Sequence, residues 1–62
     1  MIAYYSVKRN QELKYIISLY YRNVMGMMKE MHRSVHSSPK QVNEVIQKYR
    51  DDGYHVQSIA TA

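Results

Sequence analysis

QELKYIISLYYRNVMGMMKEMHR, residues 11–33, is the stretch on which the fold turns. Leu13, Ile16, Ile17, Tyr20, Val24, Met27, Met28 and Met31 recur in it at mostly three- and four-residue steps. At about 100° per residue that spacing gathers them into one broad apolar stripe. Asn10 stands before it as an N-cap whose side-chain oxygen takes up amides of the first turn, and Glu12 suits the positive end of a helix dipole. The pattern predicts a helix from about residue 11 to His32 or Arg33, roughly 33 Å long at 1.5 Å per residue. Gly26 weakens such a helix by up to about 1 kcal/mol relative to Ala and marks a bend or a close contact.

Outward from this segment the signals change. Residues 1–9, MIAYYSVKR, are aromatic and β-branched and predict a strand, with Ala3, Tyr5 and Val7 on one face and Ile2, Tyr4, Ser6 and Lys8 on the other. Residues 34–38 predict a loop. Ser38 as N-cap, Pro39 at the first helical position and Gln41 closing a capping box predict a second helix. Its seam is Val42, Val45, Ile46 and Tyr49, and Gly53 ends it. Tyr54 to Ala62 predicts a terminal strand. The expected fold class is α+β: one domain over residues 1–62, β-α-α-β, with a long first helix, a shorter second helix and two short terminal strands. A two-stranded sheet is marginal alone, so a homodimer that pools four strands is expected.

The chain has 62 residues and no Cys. A domain of this size buries only about 60% of the surface its unfolded chain exposes, and disulfides and thiolate metal sites are excluded as staples. Lys14, Arg22 and Lys29 interrupt the most apolar region, which excludes a spanning helix, so no membrane insertion is expected. Residues 1–9 carry their charges after the apolar residues, unlike a secretory signal, so a cytoplasmic location is expected. Nine Lys/Arg against five Asp/Glu give a net charge of +4, which favours anionic partners.

Catalytic signatures are missing from the sequence. His32 and His36 have metal-ligand spacing on a continuous helix, but the loop expected at Ser34 breaks it and no carboxylate completes a ligand set. His55 near Asp51 or Asp52 lacks an activated nucleophile and an oxyanion site. No glycine-rich phosphate loop or dinucleotide fingerprint occurs. The expectation is a non-enzymatic protein with no metal, no cofactor and no small-molecule substrate.

Surfaces remain. Arg22, Lys29 and Arg33 share one side of the expected first helix, flanked by Lys14 and Ser18, a basic stripe suited to phosphates or an acidic protein. Tyr15 and Leu19 lie outside the apolar stripe and, with Met25, form the expected protein interface. Tyr4 with Tyr5, beside Lys8 and Arg9, has the composition of a stacking platform for single-stranded nucleic acid.

A short strand followed by two helices in a small basic chain resembles the ribbon-helix-helix DNA-binding dimers, as do residues 33–38 and Gln41 to Ile46, set against that family's inter-helix turn and second helix. The resemblance covers roughly residues 1–53 and implies a dimeric sheet in the major groove with Tyr4, Ser6 and Lys8 reading bases. The first functional expectation is nonetheless a regulator or inhibitor that binds a protein through the exposed part of its long helix. The alternative is a dimeric DNA-binding transcriptional regulator of ribbon-helix-helix type.

Overall fold

The computed structural model describes residues 1–59 and overturns the β-α-α-β expectation: three strands precede a single helix and a fourth strand follows it. The strands are β1 (Ile2–Arg9), β2 (Tyr15–Arg22), β3 (Met28–His36) and β4 (His55–Ser58), and the helix is α1 (Pro39–Asp51). The expected long helix over residues 11–33 is instead β2, a turn, and most of β3. Two properties of that segment explain the outcome. Its first half, YIISLYYR, is dominated by β-branched and aromatic residues that fit a pleated surface better than a helix. Apolar residues also stand at both parities, so Tyr15, Ile17 and Leu19 alternate as well as they follow any helical step.

The two hairpin turns share one construction. Asn10 Oδ1 accepts from the amides of Glu12 and Lys14, each at 3.0 Å. Thirteen residues on, Asn23 Oδ1 accepts from Met25 at 2.9 Å and Met27 at 3.0 Å. In both, the Asn carbonyl also accepts from the amide three residues later, Leu13 at 3.0 Å and Gly26 at 2.9 Å. That fourth residue is left-handed, with φ 60 at Leu13 and φ 81 at Gly26. This is a tight turn followed by a left-handed bulge residue, a recurrent short hairpin connection. The Asn10 expected to cap a helix is thus the corner of a hairpin.

Leu13 occupies a position that glycine fills without cost, and Gly26 occupies its equivalent correctly. Leu13→Gly is therefore expected to raise stability by up to about 1 kcal/mol, and Gly26→Ala to lower it by about the same amount, in urea unfolding. A Cβ built at Gly26 meets nothing within 4 Å, so that loss is conformational alone.

The sheet order is β3-β2-β1-β4, antiparallel except for the parallel β1–β4 pair. Helix α1 crosses one face and returns the chain beside β1, so one chain supplies all four strands. A second copy is not needed to complete the sheet. The helix begins where the cap residues place it: Ser38 Oγ accepts from Gln41 N at 3.4 Å, and Gln41 Oε1 accepts from Ser37 N at 3.0 Å, one residue before an ordinary capping box. Gly53, at φ 100, lets the chain turn into β4. The expected terminal strand is shorter than Tyr54 to Ala62, and residues 60–62 lie outside the described residues.

Val42 and Ile46 of α1 pack on Ala3, Ile17, Leu19 and Val56 to form the buried core, with Tyr5, Tyr15, Met31, Val45, Tyr49 and Tyr54 partly buried around it. Of the eight residues in the expected helical stripe only Ile17 is fully buried, whereas Leu13 is 66% exposed and Val24 104%.

Candidate nucleic-acid interface

Helix α1 covers one face of the sheet and leaves the other open. Strand alternation and register decide which side chains face outward. Ala3, Ile17 and Leu19 lie under the helix, so Ile2, Tyr4, Ser6 and Lys8 of β1 face away from it. Their partners follow: Tyr20 beside Tyr4, Ser18 beside Ser6, and Ile16 beside Lys8. Arg22, two residues beyond Tyr20, shares that face. On β3, Val35 pairs with Ile16, Arg33 with Ser18, Glu30 with Tyr20 and Met28 with Arg22. Parallel pairing of β4 with β1 adds His55 and Gln57.

The β3 contribution depends on an irregularity. The register shifts between Leu19 and Tyr20, so Met31 is an extra residue between Glu30 and His32. A bulge of this kind reverses the alternation of the strand beyond it. Glu30 and Arg33, three apart, consequently share the open face and form an ion pair at 2.8 Å. Both ends of that pair are substantially exposed, so it adds little to stability.

The two central strands carry an aromatic pair on this face. Tyr4 and Tyr20 are half-buried neighbours on the two central strands, and the Arg22 guanidinium lies 5.7 Å from the centroid of the Tyr4 ring. A cation at that range is attracted by the ring quadrupole. Tyr4, Tyr20, Arg22 and Met28, with Ser58 and Ile59, line a cleft of about 580 Å³. Beside it, Ser6, Ser18, Lys8 and Arg33 border a second hollow of about 340 Å³ with Ile16, Tyr20 and Val35. Ser18, only 5% exposed, forms part of its floor.

Of the residues expected to contact nucleic acid, Tyr4, Ser6, Lys8, Arg22 and Arg33 meet on this face. Tyr5, Arg9 and Lys29 do not, and Lys14 precedes β2; Tyr5 packs against the core beneath the helix. Arg9 has the opposite parity, lies 5.0 Å from the Tyr15 ring centroid and donates from Nη2 to the Leu13 carbonyl at 3.3 Å. Lys14 sits by the first turn, 3.8 Å from Glu12. Lys29 pairs with Tyr21, on the parity opposite to Tyr20. The expected basic stripe required a helix, and without it Arg22 and Arg33 join Lys8 rather than Lys29.

The expected protein interface also disperses. Leu19 is fully buried in the core, Tyr15 packs against it, and Met25 is 79% exposed at the tip of the β2–β3 hairpin. The exposed helical surface to which they were assigned does not exist.

Sequence reasoning missed Tyr20, which the helical reading placed in the core, and set Ser18 beside the basic stripe of a helix, where it is instead the floor of a hollow. The signal available for both was the alternation of β2.

Under the helix, His32, Ser34 and His36 occupy alternate positions of β3. His32 Nε2 is 2.8 Å and His36 Nε2 2.6 Å from Ser34 Oγ, and the His32 ring meets Tyr49 edge-on at 5.6 Å. Of the loop expected at residues 34–38, Ser34, Val35 and His36 are instead the end of β3. Among the described residues no group of three His, Cys, Asp or Glu is placed to hold a metal ion. No helix among them is long and apolar enough to cross a membrane. Comparison of the chain with protein-family models, with curated proteins and with solved structures returned no match.

Proposed function

We propose that the protein binds nucleic acid on the open face of its sheet. The observation that carries this reading is the composition of that face: two tyrosine rings on its central strands, and Lys8, Arg22 and Arg33 on the same side against the single carboxylate of Glu30, among the described residues. The other four acids lie elsewhere, Glu12 in the first turn and Glu44, Asp51 and Asp52 in or beside α1. Cations give affinity for phosphates, and rings beside them give surfaces on which bases lie. Ser6, Ser18, Gln57 and His55 add hydrogen-bonding groups on the same side.

The arrangement differs from the ribbon-helix-helix one. There a strand from each subunit pairs across a dimer axis, whereas β1 here is enclosed between β2 and β4 of its own chain. Docking on a protein through the long helix has lost the surface it required, with Leu19 inside the core.

Fluorescence anisotropy of labelled oligonucleotides, titrated with the full chain at several salt concentrations, tests the proposal. Three phosphate contacts predict that log affinity falls against log salt with a slope of about −2 to −3. No binding at low salt, or a slope near zero, overturns it.

A further inference from the structure

Resting on that reading, we infer that the ligand of the open face is single-stranded, with two unstacked bases lying on Tyr4 and Tyr20 and the backbone held by Lys8, Arg22 and Arg33.

The rings supply the first argument. Tyr4 and Tyr20 are cross-strand partners on the central strands, each half-exposed, and they border the larger cleft together with Met28. A duplex presents base edges and phosphates, its base faces being stacked on one another, so the flat faces of two tyrosines would find no flat partner there. A single strand exposes those faces, and stacking on aromatic side chains is how proteins hold it with little regard to sequence.

Shape supplies the second. A sheet of four strands spaced about 4.8 Å apart measures roughly 14 Å between its outer strands before side chains are added. The major groove is about 12 Å wide and admits a helix or a two-stranded ribbon. This open face is too broad to enter edge to edge and suits a strand laid across it.

The cations supply the third, by their placement. Lys8 lies four residues along β1 from Tyr4, roughly 13 Å at strand rise, at the end of the sheet opposite Arg22. Arg33 lies between these ends, on the strand beyond Ser18. Cations at both ends of the face and on its β3 flank follow a chain that passes over the rings. Arg22 also lies 5.7 Å from the centroid of the Tyr4 ring, so a cation for the backbone stands beside a ring that takes a base.

The test compares one labelled mixed-sequence oligonucleotide as single strand and as duplex, against the wild-type chain and a Tyr4→Ala/Tyr20→Ala variant, with Tyr4→Phe/Tyr20→Phe as the ring-preserving control. The wild type should bind the single strand at least about tenfold more tightly than the duplex. Removing both rings should weaken single-strand binding by on the order of a hundredfold, with duplex binding and the salt slope unchanged, and the Phe variant should bind nearly as the wild type does. Circular dichroism establishes that each variant is folded. Should the alanine variant not fold, the strand-to-duplex ratio of the wild type and quenching of its tyrosine fluorescence by the single strand decide the matter. Equal or tighter duplex binding, or a folded alanine variant that holds the single strand as before, overturns this inference and leaves nucleic-acid binding standing. Absence of binding to both forms overturns the two together.

Discussion

Replacing Leu19 with alanine is expected to remove about 2–5 kcal/mol of stability, the usual cost of deleting a fully buried leucine and leaving a cavity. Leu19 has no exposed surface and lies in the core with Ile17, against Val42 and Ile46 of α1. At roughly 0.05–0.15 kcal/mol per residue, a chain of this length has about 3–9 kcal/mol in total, so the variant should be substantially unfolded at room temperature or melt far below the wild type. Val24→Ala is the informative companion. Val24 sits fully exposed in the second turn, and its truncation should change stability by no more than about 0.5 kcal/mol. A helix over residues 11–33 would reverse this order, because it buries Val24 and leaves Leu19 outside the apolar stripe. Urea unfolding of the two variants therefore reads the architecture directly, and a larger loss for Val24→Ala than for Leu19→Ala would refute the hairpin.

The second large effect concerns binding. A Lys8→Gln/Arg22→Gln/Arg33→Gln variant removes the cations of the open face, while Arg9→Gln/Lys29→Gln/Lys48→Gln removes the same charge from outside it. If three phosphate contacts contribute a salt exponent of about 2, and their contribution vanishes near 1 M salt, then at roughly 0.05 M they are worth on the order of 400-fold in affinity. The first variant should lose most of that factor together with its salt dependence, and the second only a small part. Equal losses would mean that generic positive charge is responsible, and the open face would lose its claim. None of the six positions is a buried core residue, so both variants are expected to fold. Arg9→Gln does remove a guanidinium from the Tyr15 ring, a contact worth about 0.5–1 kcal/mol at an exposed site.

Much of the second half of the chain was legible without coordinates. Ser38, Pro39 and Gln41 act within a few residues of one another, and a capped helix start, an apolar seam at Val42, Ile46 and Tyr49, and a glycine stop are all local features. The parity of β1 was legible for the same reason, since Ala3 and Tyr5 alternate with Tyr4, Ser6 and Lys8 whatever the strand pairs with. Part of the candidate site, Tyr4, Ser6 and Lys8, follows from that parity alone.

Residues 11–33 were not legible in this way, although two signals pointed toward strands. One is the β-branched and aromatic density of residues 15–21, and the other is the repetition of Asn followed three positions later by the left-handed residues Leu13 and Gly26. The second was masked at Leu13, where a leucine stands in a position whose signature is glycine or asparagine.

By itself, then, the sequence determined where α1 begins and ends, which residues of β1 share a face, and that the chain is basic and free of cysteine. The tertiary structure alone decided that Leu19 lies inside and Val24 outside, that Tyr20 and Arg22 lie beside Tyr4, and that Arg33 reaches the open face across the bulge at Met31. The physical reason is that apolar side chains stand at both parities of β2, so either face qualified for burial. Only the packing of Val42 and Ile46 onto Ile17 and Leu19, more than twenty residues away in the chain, selects one face as core and leaves the other open.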